Sequence, residues 1–97
     1  MKYEVTIMDR NEQFMAIYKN VELISKDKYM AKMRYTLDPE YSVNSEHPDY
    51  VEFSVFPDNT VNKYDYEWVP ADDIFEAQYN CEGFATYKLV DLKKMGA

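Results

Sequence analysis

The residues of this chain able to do chemistry are few and badly placed for it. His47 is the only histidine and Cys81 the only cysteine, 34 positions apart. His47 sits in Glu46-His47-Pro48-Asp49, which has the character of a turn, and Cys81 precedes Glu82-Gly83 with no base nearby in sequence. A thiol becomes a nucleophile through a cationic or basic neighbour, so a surface histidine and an inert, partly buried cysteine are expected. Asp72-Asp73 could hold a hard cation, but acids at that place equally suit the positive end of a helix. The run Asp58-Asn59-Thr60-Val61-Asn62 alternates oxygen donors but lacks the glycine and the glutamate that a calcium loop requires. With Gly83 and Gly96 as the only glycines, there is no phosphate-cradling loop and no dinucleotide fingerprint. The expectation is a non-enzyme with no cofactor and no metal; a small enzyme or metal-binding protein is the weakest alternative.

The chemistry that is present is charge. Residues 38–82 hold twelve acids and one base, Lys63, a net of −11, whereas the remaining 52 residues hold six acids and ten bases. The acids are Asp38, Glu40, Glu46, Asp49, Glu52, Asp58, Asp65, Glu67, Asp72, Asp73, Glu76 and Glu82. The same segment is rich in Tyr, Phe and Trp, so it is not composed like a disordered acidic tail. A balance of this sign disfavours direct binding to nucleic acid or to anionic membranes, both of which need Lys and Arg. It favours a basic protein, or a protein with a basic nucleic-acid groove. A domain of this size is about 30 Å across, and duplex DNA of that length carries about 18 charges. Eleven charges gathered on one face would exceed half that density. Glu52, Asp65, Glu67, Asp72 and Asp73 are the candidates for such a face, with Tyr41 and Tyr50 as aromatic anchors.

The elements that must position these residues are mostly strands. Tyr3, Val5 and Ile7 alternate with polar positions, and Phe14–Ile24 forms a second extended stretch whose apolar face shifts near Tyr18-Lys19-Asn20, the mark of a bulge. A turn at 25–28 follows. Tyr29, Ala31, Met33, Tyr35 and Leu37 line one face of a third strand. Residues 38–49, with Pro39 and Pro48, have no periodicity and read as a surface loop. Val51, Phe53 and Val55 form the inward face of a fourth strand. Pro57-Asp58-Asn59-Thr60 is a turn. Tyr64, Tyr66 and Trp68 alternate with Lys63, Asp65 and Glu67 in a fifth strand, ended by Pro70. Pro70-Ala71-Asp72-Asp73 has the residues of a helix start, giving one short helix near residues 70–80. Phe84–Leu92 is a last strand, with Lys93-Lys94 beginning a solvated end.

The expected fold is thus α+β but mainly β: one domain over 1–97, with a single antiparallel sheet of five to six strands. The sheet either stays open with the helix on one face or curls towards a small barrel. A single cysteine precludes an intramolecular disulfide and suits a reducing, cytoplasmic setting. No apolar run is long enough for a helical membrane span, and the first residues do not read as a signal peptide.

The segment Trp68-Val69-Pro70-Ala71-Asp72-Asp73-Ile74 resembles the closing stretch of SH3-type barrels: aromatic, aliphatic, proline, short turn, last strand. The earlier aromatic signature and glycines of those barrels are absent here, and no binding residues carry over. In size, charge and lack of catalytic motifs the chain also resembles, in type rather than by motif, the small acidic inhibitors of phages and mobile elements, including anti-restriction and anti-CRISPR proteins. That resemblance implies an inhibitor acting as a DNA mimic. The alternative is an interaction or assembly module in which Tyr64, Tyr66 and Trp68 line a groove for a peptide or for a second copy in a homodimer.

Overall fold

Period-two alternation produces strands almost everywhere it occurs. The computed structural model describes residues 1–96 and contains six strands: β1 (Lys2–Asp9), β2 (Met15–Lys26), β3 (Ala31–Thr36), β4 (Tyr50–Val55), β5 (Thr60–Val69) and β6 (Gln78–Lys94). Each pairs antiparallel with the next, and β6 returns to β1, so the sheet closes into a barrel. Closure removes the free edges that an open sheet would expose. The one helical element among the described residues is a single 3-10 turn, Pro39–Tyr41, whose start is capped by the Asp38 carboxylate accepting from Glu40 N at 3.0 Å.

The two long strands make closure possible by serving different neighbours along their length. β6 pairs with β5 over Gln78–Lys88 and with β1 over Tyr87–Lys94. In the same way β2 gives its first half to β1 and its second half to β3. Four register shifts interrupt the ladders of these strands; the first lies opposite Glu4, where Asn20 takes φ 60°, and another falls between Thr6 and Ile7. The expected shift of the apolar face near Asn20 is this first bulge.

The core is the inward face of the ring: Val5, Ile7, Val21, Met33, Val51, Phe53, Val55 and Val61. Phe53 is fully buried and meets the Tyr18 ring edge-on at 5.0 Å, and Tyr18 in turn meets Tyr35 at 5.2 Å. Val51, Phe53 and Val55 face inward as their spacing requires.

Two expectations fail for identifiable reasons. The helix near residues 70–80 does not form; Pro70–Ala77 is a loop between β5 and β6. The Asp72 carboxylate accepts from Ile74 N (2.8 Å) and Phe75 N (2.7 Å), and Asp72 N donates to Phe75 O (3.0 Å). The acid that would start a helix closes a turn instead. Ile74 is 83% and Phe75 63% exposed, so there is no packing to offset the cost of nucleating so short a helix. Tyr79 and Asn80 are taken into β6 opposite Trp68 and Glu67. The barrel therefore does not end as an SH3-type barrel would, because a 17-residue strand rather than a short one closes it. The second failure is Tyr29, which lies 68% exposed in the β2–β3 turn rather than along β3. That turn is drawn tight by Asp27, whose carboxylate accepts from Tyr29 N and Met30 N.

The β4–β5 turn makes a local test. Asn59 sits at φ 69°, donates its N–H to Phe56 O, and offers its carbonyl to Leu89 N at 2.7 Å. Asparagine tolerates this left-handed conformation, whereas for a residue with an ordinary Cβ it costs about 1–2 kcal/mol. Asn59→Gly is expected to melt within a degree or two of the parent, and Asn59→Ala roughly 4–16 °C lower, measured by thermal unfolding.

Candidate functional site: an acidic end

Register decides which side of the barrel each acid faces. Phe53 pairs with Lys63 and Glu52 with Tyr64, and directly paired residues share a face. Lys63 and Asp65 therefore lie on the core side of β5, while Glu52, Tyr64, Tyr66 and Trp68 lie on the outside. The expected acidic face is split by this parity. Glu52 is held between Lys32 Nζ (3.7 Å) and Arg34 Nη2 (3.6 Å) with only 14% of its side chain exposed. Asp65 Oδ1 takes a hydrogen bond from Lys63 Nζ at 2.9 Å, and Gly83 opposite it leaves room, since a Cβ there would lie 2.9 Å from Asp65 Oδ2. Both carboxylates are ion-paired, Glu52 nearly enclosed and Asp65 still 43% exposed. Glu52 lies on the opposite face of the sheet from Asp65 and Glu67, which share one face of β5 two residues apart.

Lys63 is an unusual residue to find facing a barrel interior. Burial alone would lower its pKa, but the Asp65 bond and the nearby Tyr18 and Tyr87 hydroxyls outweigh this, and the value is raised. Tyr18 is also raised, chiefly by burial and against the opposing pull of Lys63.

What the fold does bring together lies above this pair. β4 begins at Tyr50, opposite Tyr66, so the rest of β5 and the start of β6 run on as a two-stranded arm, Glu67–Val69 with Gln78–Asn80. The 42–49 loop is latched to this arm. His47 stacks on Trp68 with centroids 3.8 Å apart and planes 11° from parallel, and Tyr79 Oη donates to Pro48 O at 3.0 Å. Tyr50 stacks on Tyr66 and meets Tyr79 edge-on, both at 4.8 Å. The loop is also braced from within: Asn44 Oδ1 accepts from Glu46 N, and Ser42 Oγ from Asp49 N.

The latch seats the loop on the Trp68–Tyr79 face of the arm, and Glu67 lies at the adjacent position of opposite parity. Glu46 and Asp49 come from the latched loop and Asp38 and Glu40 from the 3-10 turn before it; Glu67 comes from the arm, Asp72, Asp73 and Glu76 from its tip, and Glu82 from β6 next to the arm. Among the described residues none of these nine has an ion-pair partner; the acids that do are Glu12, Glu22, Glu52 and Asp65. Arg34, on β3, is engaged by Glu52 and by the Tyr50 ring, 4.3 Å from its guanidinium carbon, and its Nε has no hydrogen-bond partner. Lys93 and Lys94 lie at the far end of β6 from the arm, paired with Glu4 and Tyr3 beside Lys2. Lys2, Lys93 and Lys94 thus lie together at the end of β6 remote from the arm.

Of the aromatic candidates, Tyr41 is 79% exposed at the 3-10 turn, whereas Tyr50 is wedged among Tyr66, Tyr79 and Arg34. Sequence reasoning misses the role of His47, which is not a solvated turn residue but half-buried as the latch on Trp68. The alternation of Tyr64, Tyr66 and Trp68 signals an aromatic face, but nothing in sequence says that a loop about 20 residues earlier lies on it. Cys81 is exposed rather than partly buried, with Sγ 3.4 Å from Gly83 O. Among the described residues no three His, Cys, Asp or Glu side chains converge as metal ligands.

The turn acids and the interior tyrosines set the expected pH response. Asp27, Asp58 and Asp72 are lowered, each first by backbone N–H donors: Met30 and Tyr29, Thr60, and Phe75 and Ile74 respectively. A lowered carboxylate adds stability that is present above its unfolded value of 3.8 and is lost as pH falls through the folded value. Lys63 is raised above 10.5, so its contribution is complete below that pH and lost as pH rises through the folded value; Tyr18, raised above 10.0, stays protonated to higher pH in the fold and acts in the same direction. The expected profile of melting temperature is flat between about pH 5 and 9, with losses beginning below about pH 4 and above about pH 10. In Lys63→Met the alkaline fall should change shape while the acid limb stays.

No helix among the described residues is long and apolar enough to cross a membrane. Comparison of the chain with protein-family models, with curated proteins and with solved structures finds no match, so the acidic end stands on its own geometry.

Proposed function

We propose that this chain is a non-enzymatic binding protein that uses its acidic end to occupy a basic, nucleic-acid-binding surface of a partner protein, as a DNA-mimicking inhibitor does. The observation that carries this is the latch: His47 on Trp68 and Tyr79 on Pro48 hold an acidic loop against an acidic arm, and among the described residues no base pairs with the acids of either. Like charges repel, so gathering them lowers stability, and a binding role gives a reason to keep them together. The principal extents of the molecule are 44 × 33 × 28 Å. Duplex DNA over about 30 Å carries about 18 charges, so nine carboxylates give about half its density. The test is capture of partners from a cytosolic extract at low salt, followed by competition with duplex DNA. A nucleic-acid-binding protein released both by salt and by DNA is the expected result; partners indifferent to both would refute the proposal.

A second reading, binding through the aromatic outer face, is favoured by one observation. Tyr64, Tyr66 and Trp68 point outward rather than into the core, and Phe84, 60% exposed, lies 5.0 Å from Tyr64. Phe84→Ser would abolish binding of that kind and leave charge-driven binding intact.

A further inference from the structure

The two ends of the barrel carry apolar groups of opposite shape, a projecting tip at one and a hollow at the other. The tip is the β5–β6 turn at the end of the arm. Ile74 is 83% and Phe75 63% exposed there. The turn that presents them is fixed by the Asp72 carboxylate and by the bond from Asp72 N to Phe75 O. Asp73 and Glu76 flank the two apolar side chains in sequence, exposed and without ion-pair partners among the described residues.

The hollow lies at the opposite end. The β3–β4 ladder runs from Thr36↔Tyr50, on the arm side, to Ala31↔Val55, and β2 ends on the same rung at Lys26↔Ala31. Beside that rung is a cavity of about 190 Å³ walled by Met30, Val55, Phe56, Pro57 and Leu92. It is smaller than the roughly 300–1,000 Å³ of a small-molecule site, but it has room for one large side chain. Lys26 stands on its rim. Lys28 is in the adjoining turn, and Lys94 shares the face of Leu92 two residues further along β6. None of these three lysines has an ion-pair partner among the described residues. Asp27, also on the rim, and Asp58, next to Pro57, direct a carboxylate oxygen to backbone N–H groups of their own turns.

We infer that the tip of one copy docks into the hollow of a second copy, so that the chain associates head to tail. The two surfaces match in chemistry: Ile74 and Phe75 meet an apolar wall, and Asp73 and Glu76 meet Lys26, Lys28 and Lys94. Within one molecule they cannot meet, because the β4–β5 ladder, from Tyr50↔Tyr66 to Val55↔Val61, stands between them. A membrane is a poor occupant for the tip, since anionic headgroups repel its acids. The fixed turn holds the tip in one shape before contact, which lowers the ordering cost of binding. Because the contact joins two different surfaces it is heterologous, and it propagates into chains or closes into a ring. The latched loop takes no part, so the inference does not rest on the partner proposed for the acidic end.

The test is sedimentation equilibrium of the whole chain at rising concentration and near-physiological ionic strength. A Debye length of about 8 Å then screens the net charge of −7 that each copy carries. The expected result is a weight-average mass that climbs with concentration. Phe75→Ser removes the apolar end of the tip, and Lys26→Glu with Lys28→Glu reverses the rim of the hollow; each should weaken association about tenfold or more. All three positions are exposed, so melting temperatures should hold. Mixing the two variants separates this contact from any other. The Phe75→Ser protein keeps an intact hollow and the lysine variant keeps an intact tip, so together they should form a 1:1 pair and no larger species. A mass that stays monomeric throughout, association that both variants leave unchanged, or a mixture no better associated than its components would each overturn the inference.

Discussion

Reversing Glu46, Glu67 and Asp73 to lysine should slow association with a basic partner by about a hundredfold at low ionic strength, within the range that electrostatic steering supplies. These three acids come from the loop, the arm and the arm's tip, and none is ion-paired or caps a turn. Asp72 is left alone because its carboxylate holds the tip turn together. The change is six charge units, so a control must carry the same net change elsewhere. Glu4→Lys, Glu12→Lys and Asp91→Lys provide it on the β1–β6 side of the barrel. If only net charge mattered, the two triple variants would bind alike. A polarised molecule predicts a large loss in the first and a small one in the second. Melting temperatures of both should stay near that of the parent, because exposed charges contribute little to stability.

Phe53→Ala is expected to have the largest effect on the fold. The ring is fully buried at the centre of β4, pairs across to Met33 and Lys63, and receives the edge of Tyr18. Loss of a buried phenylalanine costs about 3–5 kcal/mol, part from transfer and part from the cavity left behind. In a domain of this size each kcal/mol moves the midpoint by roughly 4–8 °C, so a fall of about 12–40 °C follows. The core holds few other large side chains: Ile7 and Met33 are the next in size among those fully buried. Phe53→Leu, which conserves more volume, should recover more than half of the loss. Denaturant unfolding of the three proteins measures this directly.

Most of the sheet is legible in the sequence, because alternation is a local property. The spacing of Val51, Phe53 and Val55 marks an inward face, and the shift near Asn20 marks a bulge. The fate of residues 70–80 is illegible for a physical reason. Asp72 serves a helix start and an Asx turn with the same carboxylate, and the choice rests on whether Ile74 and Phe75 find anything to pack against. They do not. Parity is the other obstacle. Asp65 and Glu67 alternate with Tyr64 and Tyr66, but which of the two sets faces the core depends on a partner strand, since a slip of one residue exchanges them. Glu52 is hidden for a related reason, as only the pairing with Arg34 shows it to be neutralised. The acidic loop reaches the arm through a contact between His47 and Trp68, and no local pattern encodes such a contact.

Whether the unpaired carboxylates at one end act together against a positively charged surface is measured most directly by salt. The quantity to follow is the affinity of the captured partner for this chain, from low to physiological ionic strength and beyond. A steep fall in affinity with salt, flattened in the Glu46, Glu67 and Asp73 triple variant and unchanged in the control triple, is the predicted result. An affinity that does not respond to salt, or that responds equally in all three proteins, would contradict it.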